Sequence, residues 1–272
     1  MMTDDTPTPE PTDAAPAPEA AAPCPACRKP ADLCGCADLT RVENRLAVLV
    51  LQHPQEQDVE LGTARLLTLQ LPRAALRVGL SWPNLAKALG PLAPKDTPPD
   101  AKRWAVLYMG SGEDVTSVPA GAARLVDKKG QLLPEAEEAA ALAELDGIVL
   151  LDGSWSQAKA LWWRNAWLLK LRRLVIHPHF RSAYGELRRE PRKESVSTLE
   201  AAAFALSVLE RRPDLLDALT APFKRLVAAY RASGRRPGAE EKKAGGRPGG
   251  RPGGRPGGRW RGGRGKPKGG AS

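Results

Sequence analysis

The chain has 272 residues, 42% of them hydrophobic, and a formal net charge of +10. That length suits one large domain or two small ones, and the apolar share suffices for a sizeable buried core. No segment approaches the roughly 20 apolar residues of a membrane span, and no basic-then-apolar signal peptide opens the chain, so a cytoplasmic location is the default expectation.

Residues 1–22 form an arm of mostly Ala, Pro, Thr, Asp and Glu, with carboxylates at Asp4, Asp5, Glu10, Asp13 and Glu19. An arm so poor in apolar groups cannot offset the entropy of ordering, so disorder is expected there. The globular part is expected over residues 23–233. It opens on Cys24, Cys27, Cys34 and Cys36, which are all four cysteines of the chain. In a reducing compartment such crowding reads as a metal site before it reads as disulfides. Four thiolates suit a closed, structural zinc knuckle over residues 23–40.

Leu46–Leu51 is an apolar run of strand length that leads into His53-Pro54-Gln55-Glu56. Thr63–Leu71 reads as a helix stopped by Pro72, and Leu85–Leu89 as a short helix ahead of a Pro-rich loop over Pro91–Asp100. Arg103–Met109 reads as a second strand, Pro134–Leu145 as an Ala/Glu-rich helix, and Gly147–Leu151 as a third strand that runs into Asp152-Gly153-Ser154-Trp155. Apolar residues then recur at helical spacing over Ser154–Leu171. Arg173–Ile176 reads as a fourth strand. Ser197–Glu210 and Asp214–Arg231 read as helices, the first opened by an S-x-x-E capping box, Ser197 to Glu200. Strands alternating with helices predict an α/β fold with a mainly parallel sheet and helices on both faces.

From Gly234 onward the chain is Gly, Arg, Pro and Lys, with three Gly-Gly-Arg-Pro repeats and Trp260. Its 12 Lys/Arg stand against Glu240 and Glu241, a net of about +10. A polycation of this kind favours a polyanionic partner, because neutralising phosphates releases counterions. The plain alternative is a solubilising extension without a partner.

Ligands of parallel α/β sheets sit beyond the C-terminal strand ends. The polar residues expected there are His53, Gln55, Glu56, Asp152, Ser154 and Trp155. The turn after Asp152 can present backbone N–H groups to an anion, and Trp155 can stack on an adenine. The plain alternative makes Asp152 or Ser154 an N-cap and Trp155 a core residue. Arg65 and Arg188 can contact a carboxylate or an RNA phosphate, or can be ordinary surface arginines.

Taken in order, the four-cysteine cluster, His53-Pro54-x-Glu56, Asp152-x-Ser154-Trp155 and Ser197-Thr198-Leu199-Glu200 resemble the DTW-domain family of tRNA-uridine aminocarboxypropyltransferases. Tyr184 and Leu187-Arg188-x-x-Pro191 fit the same pattern. Ser154 stands where the family usually has Thr, and Gly62 where it tends to have Asn. The resemblance covers residues 23–230. It implies a relation to knotted, SPOUT-like methyltransferase folds near the C-terminal part. It also implies transfer of the aminocarboxypropyl group of S-adenosylmethionine to nitrogen 3 of a tRNA uridine, with methylthioadenosine released. Cofactor binding would fall to Asp152, Ser154, Trp155, Thr198, Glu200 and His53. Neutral uridine is a poor nucleophile, so a general base is useful; Asp152 is the first candidate and Glu56 the second. Two other functions compete: an S-adenosylmethionine-dependent RNA methyltransferase, and a non-catalytic RNA-binding protein made of a zinc knuckle and a basic tail.

Overall fold

A computed structural model describes residues 22–108, 118–187 and 196–235. Residues 1–21, most of the basic tail and Arg188 lie outside the described residues.

Among the described residues six strands form one sheet: β1 (Ala47–Gln52), β2 (Ala74–Val78), β3 (Trp104–Leu107), β4 (Ala122–Val126), β5 (Gly147–Asp152) and β6 (Arg172–His177). Their order is β2-β1-β5-β3-β6-β4. Every neighbouring pair is parallel except β4–β6, which is antiparallel. The described α-helices are α1 (Ala64–Gln70), α2 (Leu85–Leu89), α3 (Glu135–Ala143), α4 (Trp155–Arg164), α5 (Thr198–Leu209) and α6 (Asp214–Ala232).

The interior strands β1 and β5 read as unbroken apolar runs because both of their faces are covered. Val48, Val50, Ile148 and Leu150 join one core cluster with residues of α1, α5 and α6. Ala47, Leu49, Leu51 and Val149 face the other way, into a cluster with Leu85, Leu89 and Trp167. The pleat alternates side chains between the faces, so one strand feeds both cores. Gly147 opens β5 where the chains crowd: an added Cβ would lie 2.4 Å from the Ala47 carbonyl oxygen and 2.6 Å from the Trp104 ring.

Two strands, β2 and β4, fall where the sequence predicts none. Each lies at a sheet edge and carries an arginine, Arg77 or Arg124, so neither has the apolar signature of the central strands. The single helix expected over Ser154–Leu171 is two elements. Helix α4 stops at Arg164, Asn165 leaves helical geometry (φ −122°, ψ 72°), and a 3-10 segment covers Ala166–Lys170. Asn165 is held at that break by its own amide group. It donates to the Leu80 and Leu161 carbonyls, and its oxygen accepts from the Trp82 N–H. Among the described residues no helix is long and apolar enough to cross a membrane.

Candidate functional site

Register builds the centre of the site. Strands β1 and β5 run in parallel, and Gln52, the last residue of β1, pairs with Asp152, the last of β5. The carboxylate of Asp152 is only 7% exposed. Gln52 donates its side-chain N–H to Oδ2 at 2.8 Å, and the Thr198 hydroxyl donates to Oδ1. One buried carboxylate thus ties together two strands and the start of α5. Beside it, the His53 backbone N–H donates to the Asp152 carbonyl at 3.0 Å.

Gly153 permits the next step of the chain. A Cβ there would fall 2.9 Å from the Cβ of Gln157. Ser154 then caps α4, and the Gln157 side-chain oxygen accepts from the Ser154 N–H at 2.5 Å. The Gln157 amide also donates to the Gln55 side-chain oxygen at 3.1 Å, which links the helix start to the His53–Glu56 turn. That turn is a 3-10 element, Pro54–Glu56, with the His53 Nδ1 accepting from the Gln55 N–H. Glu56 is half-buried at its end. Trp155 is 36% exposed on the first turn of α4, with the Lys159 ammonium 5.6 Å from its ring centroid.

Glu200 occupies a different place. Its buried carboxylate accepts from the Ser182 hydroxyl and the Ala183 N–H, both at 2.7 Å, and from the Ser197 N–H at 2.8 Å. It therefore serves the capping box and also anchors the segment ahead of α5. Nearby, the Leu199 N–H donates to the Thr63 hydroxyl at 3.3 Å, and the buried Tyr184 hydroxyl donates to the Leu61 carbonyl at 2.7 Å.

The four cysteines come together as their spacing requires. Their sulfurs all lie within 4.8 Å of one another, a group that could hold a metal ion. The knuckle packs on the segment that follows His53. Lys29 is only 4% exposed, and its ammonium donates to the carbonyls of Val59 (2.9 Å) and Gly62 (2.8 Å). Burial pulls Lys29 down to about 8, opposed by the negative charge of Cys27, Glu60 and Asp152. Arg28 adds an exposed ion pair with Asp58 at 3.2 Å. In the cluster, the backbone N–H of Cys27 pulls Cys24 down to about 6, whereas burial pushes Cys27 and Cys36 up. Arg65, at the start of α1, buries an Nε that has no hydrogen-bond partner, and desolvation lowers its pKa.

His53, Asp152, Ser154 and Thr198 thus meet at the C-terminal ends of β1 and β5, with Glu56 one turn away. Glu200 bonds instead to Ser182, Ala183 and Ser197, and the charges acting on Arg65 are Arg28, Asp58 and Cys27. The motifs alone did not single out Gln52, Gln157 or Lys29. A glutamine ending a buried strand, and a lysine inside a cysteine knuckle, were the signals on offer.

The DTW domain model matches residues 21–231. The chain is 30% identical to tRNA-uridine aminocarboxypropyltransferase 2 of Drosophila melanogaster over 203 residues, covering 73% of this chain and 71% of that protein. The proteins of the same name from Mus musculus and Macaca fascicularis are 35% and 33% identical over 81 residues, 30% of this chain and 27% of each relative. No solved structure matches. With its motifs in order and the model spanning the described globular part, the chain belongs to the DTW-domain family.

Proposed function

We propose that this chain is a tRNA-uridine aminocarboxypropyltransferase that draws the 3-amino-3-carboxypropyl group from S-adenosylmethionine. The observation that carries the reading is the node at Asp152. The three family motifs outside the cysteine cluster converge on it, through His53, Asp152 and Thr198. In the reaction, uridine nitrogen 3 loses its proton and bonds to the methylene carbon attached to sulfur. The carbon–sulfur bond breaks, and methylthioadenosine leaves with the electron pair. The enzyme mainly orients that carbon and removes the proton.

Asp152 is the first candidate for the base and Glu56 the second. Hydrogen bonds from Gln52 and Thr198 orient the Asp152 carboxylate. They occupy two of the roughly four acceptor positions of a carboxylate, which leaves room for a proton. We assign donor binding to His53, Ser154, Trp155 and Thr198, with Glu200 holding the surrounding backbone. Arg65 is the candidate partner for the donor carboxylate or an RNA phosphate, supported by its unpaired Nε; Arg188 has the same proposed role. The basic tail would add contacts to the RNA in the cytoplasm. A knotted, SPOUT-like C-terminal part belongs to the same reading.

Zinc is our choice for the cysteine cluster. Bonds of about 2.3 Å in a tetrahedron place sulfurs about 3.8 Å apart. The Cys24–Cys36 and Cys27–Cys34 sulfurs are 3.9 and 3.7 Å apart.

The test is to incubate the protein with S-adenosylmethionine and unmodified tRNA, then measure methylthioadenosine and the mass of the product uridine. S-adenosylhomocysteine would instead assign a methyltransferase. Bound tRNA with no donor binding and no product would assign a binding protein. Asp152→Asn should lower turnover by roughly 10²–10⁴ with donor affinity kept if Asp152 is the base. If it only anchors the donor, rate and affinity fall together.

A further inference from the structure

Helix α4 leaves the strand-end site with an unusual outer face. Trp163 is 77% exposed, and Trp155 and Lys159 precede it by two turns and one turn on the same exposed stripe. The helix buries Ala158 and Leu161 instead. A large aromatic left in water forgoes the gain of burial, so an exposure as full as that of Trp163 marks a contact surface. Charge on this helix has one sign: Trp155–Arg164 carries Lys159 and Arg164 and no carboxylate.

We infer that the face of α4 running from Trp155, at the proposed donor site, through Lys159 to Trp163 is a track for single-stranded RNA, with Trp163 as the stacking platform for nucleotides that flank the target uridine. The inference rests on the proposed function for its substrate and extends it to a surface. Bases stack on exposed indoles without regard to sequence, while lysine contacts the phosphates between them. Eight residues of helix span about 12 Å. That length accommodates about three or four nucleotides at roughly 3.4 Å each. The stripe begins at the residue after Ser154, so a strand laid along it ends at the proposed donor site. Arg164, exposed at the far end of α4, extends the positive charge.

The experiment uses the full chain and an unmodified tRNA transcript. Trp163→Ala should raise KM for tRNA roughly tenfold, the scale of one lost stacked base. Donor affinity, measured separately by equilibrium dialysis, should change less than about twofold on the same reasoning. Trp163→Phe should restore most of the loss, because a ring remains. The Trp163→Ala defect should persist at high salt, whereas a Lys159→Ala defect should shrink there, as expected for a phosphate contact. RNA carrying 4-thiouridine beside the target should photocross-link to a peptide from α4. Unchanged tRNA affinity in Trp163→Ala overturns the track. A Trp163-dependent change in sedimentation with unchanged tRNA affinity overturns it too, and gives the face to a second copy of the chain. If the wild-type protein makes no modified uridine but binds tRNA, the enzymatic reading fails. Filter binding of Trp163→Ala then still decides the track.

Discussion

The cysteine knuckle and the centre of the sheet both position the segment from His53 to Thr63, by opposite means. The sheet does so by register: β1 and β5 are buried on both faces, and their pairing sets His53 against Asp152. The knuckle does so from outside. It buries little beyond Cys27 and Leu33, and reaches the segment through Lys29 and Arg28. A region held by apolar packing keeps its shape unless its core is cut. A region held by the proposed metal would be only as firm as that ion.

Metal removal should produce the largest difference between the two. Structural zinc contributes on the order of 10–16 kcal/mol in small fingers at neutral pH. Chelation should abolish amide-exchange protection around Cys24–Cys36 and loosen Val59–Gly62, while β1 and β5 stay protected. Equal loss in both regions would mean that the knuckle is part of the sheet's cooperative unit. Cutting the sheet comes next. Leu150→Ala removes a side chain that is 1% exposed, and should cost about 2–5 kcal/mol of global stability. Thermal unfolding with metal content followed alongside would check that the cysteine site still loads. Lys29→Met tests the link between the regions. It leaves the Gly62 carbonyl without its lysine donor, a local cost of about 1–3 kcal/mol. Donor KM should rise, with the melting temperature of the core nearly unchanged; an unaltered KM would detach the knuckle from the site. The smallest effect on either region should follow from deleting residues 236–272. Fold and donor binding should persist, and tRNA affinity should fall at low salt and converge with wild type at high salt. Equal affinities at low salt would remove the tail from RNA binding.

The central strands were legible because double burial leaves an unbroken apolar run, as in Leu46–Leu51 and Gly147–Leu151. Edge strands carry no such mark: β4 is only five residues long, and its half-buried Arg124 pairs with Glu138 of α3 at 2.6 Å. The break at Asn165 was hidden for a related reason. The side-chain bonds that stabilise it come partly from the Leu80–Trp82 loop, more than 80 residues earlier. At the site, positions after strands could be read directly, since topology alone puts them at one edge. Partners could not. Pairing Gln52 with Asp152 needs the β1–β5 register, and tying Gln157 to Gln55 needs the helix start to face the turn. The Ser197–Glu200 box was legible as local chemistry, but its further donors, Ser182 and Ala183, lie beyond any local spacing.

The span of chain closed by the Asp152 node sets an order of events during synthesis. Its donors stand 100 residues before and 46 residues after the carboxylate. The four thiols, by contrast, fall within thirteen residues near the start of the globular part. At about 5–20 residues per second, roughly 8–30 s separate the emergence of Cys36 from that of Thr198. A chain still on the ribosome can therefore bring its four thiols together long before it can assemble the strand-end site. Until α5 has been made, Asp152 lacks its hydroxyl donor, and the three motifs cannot yet meet.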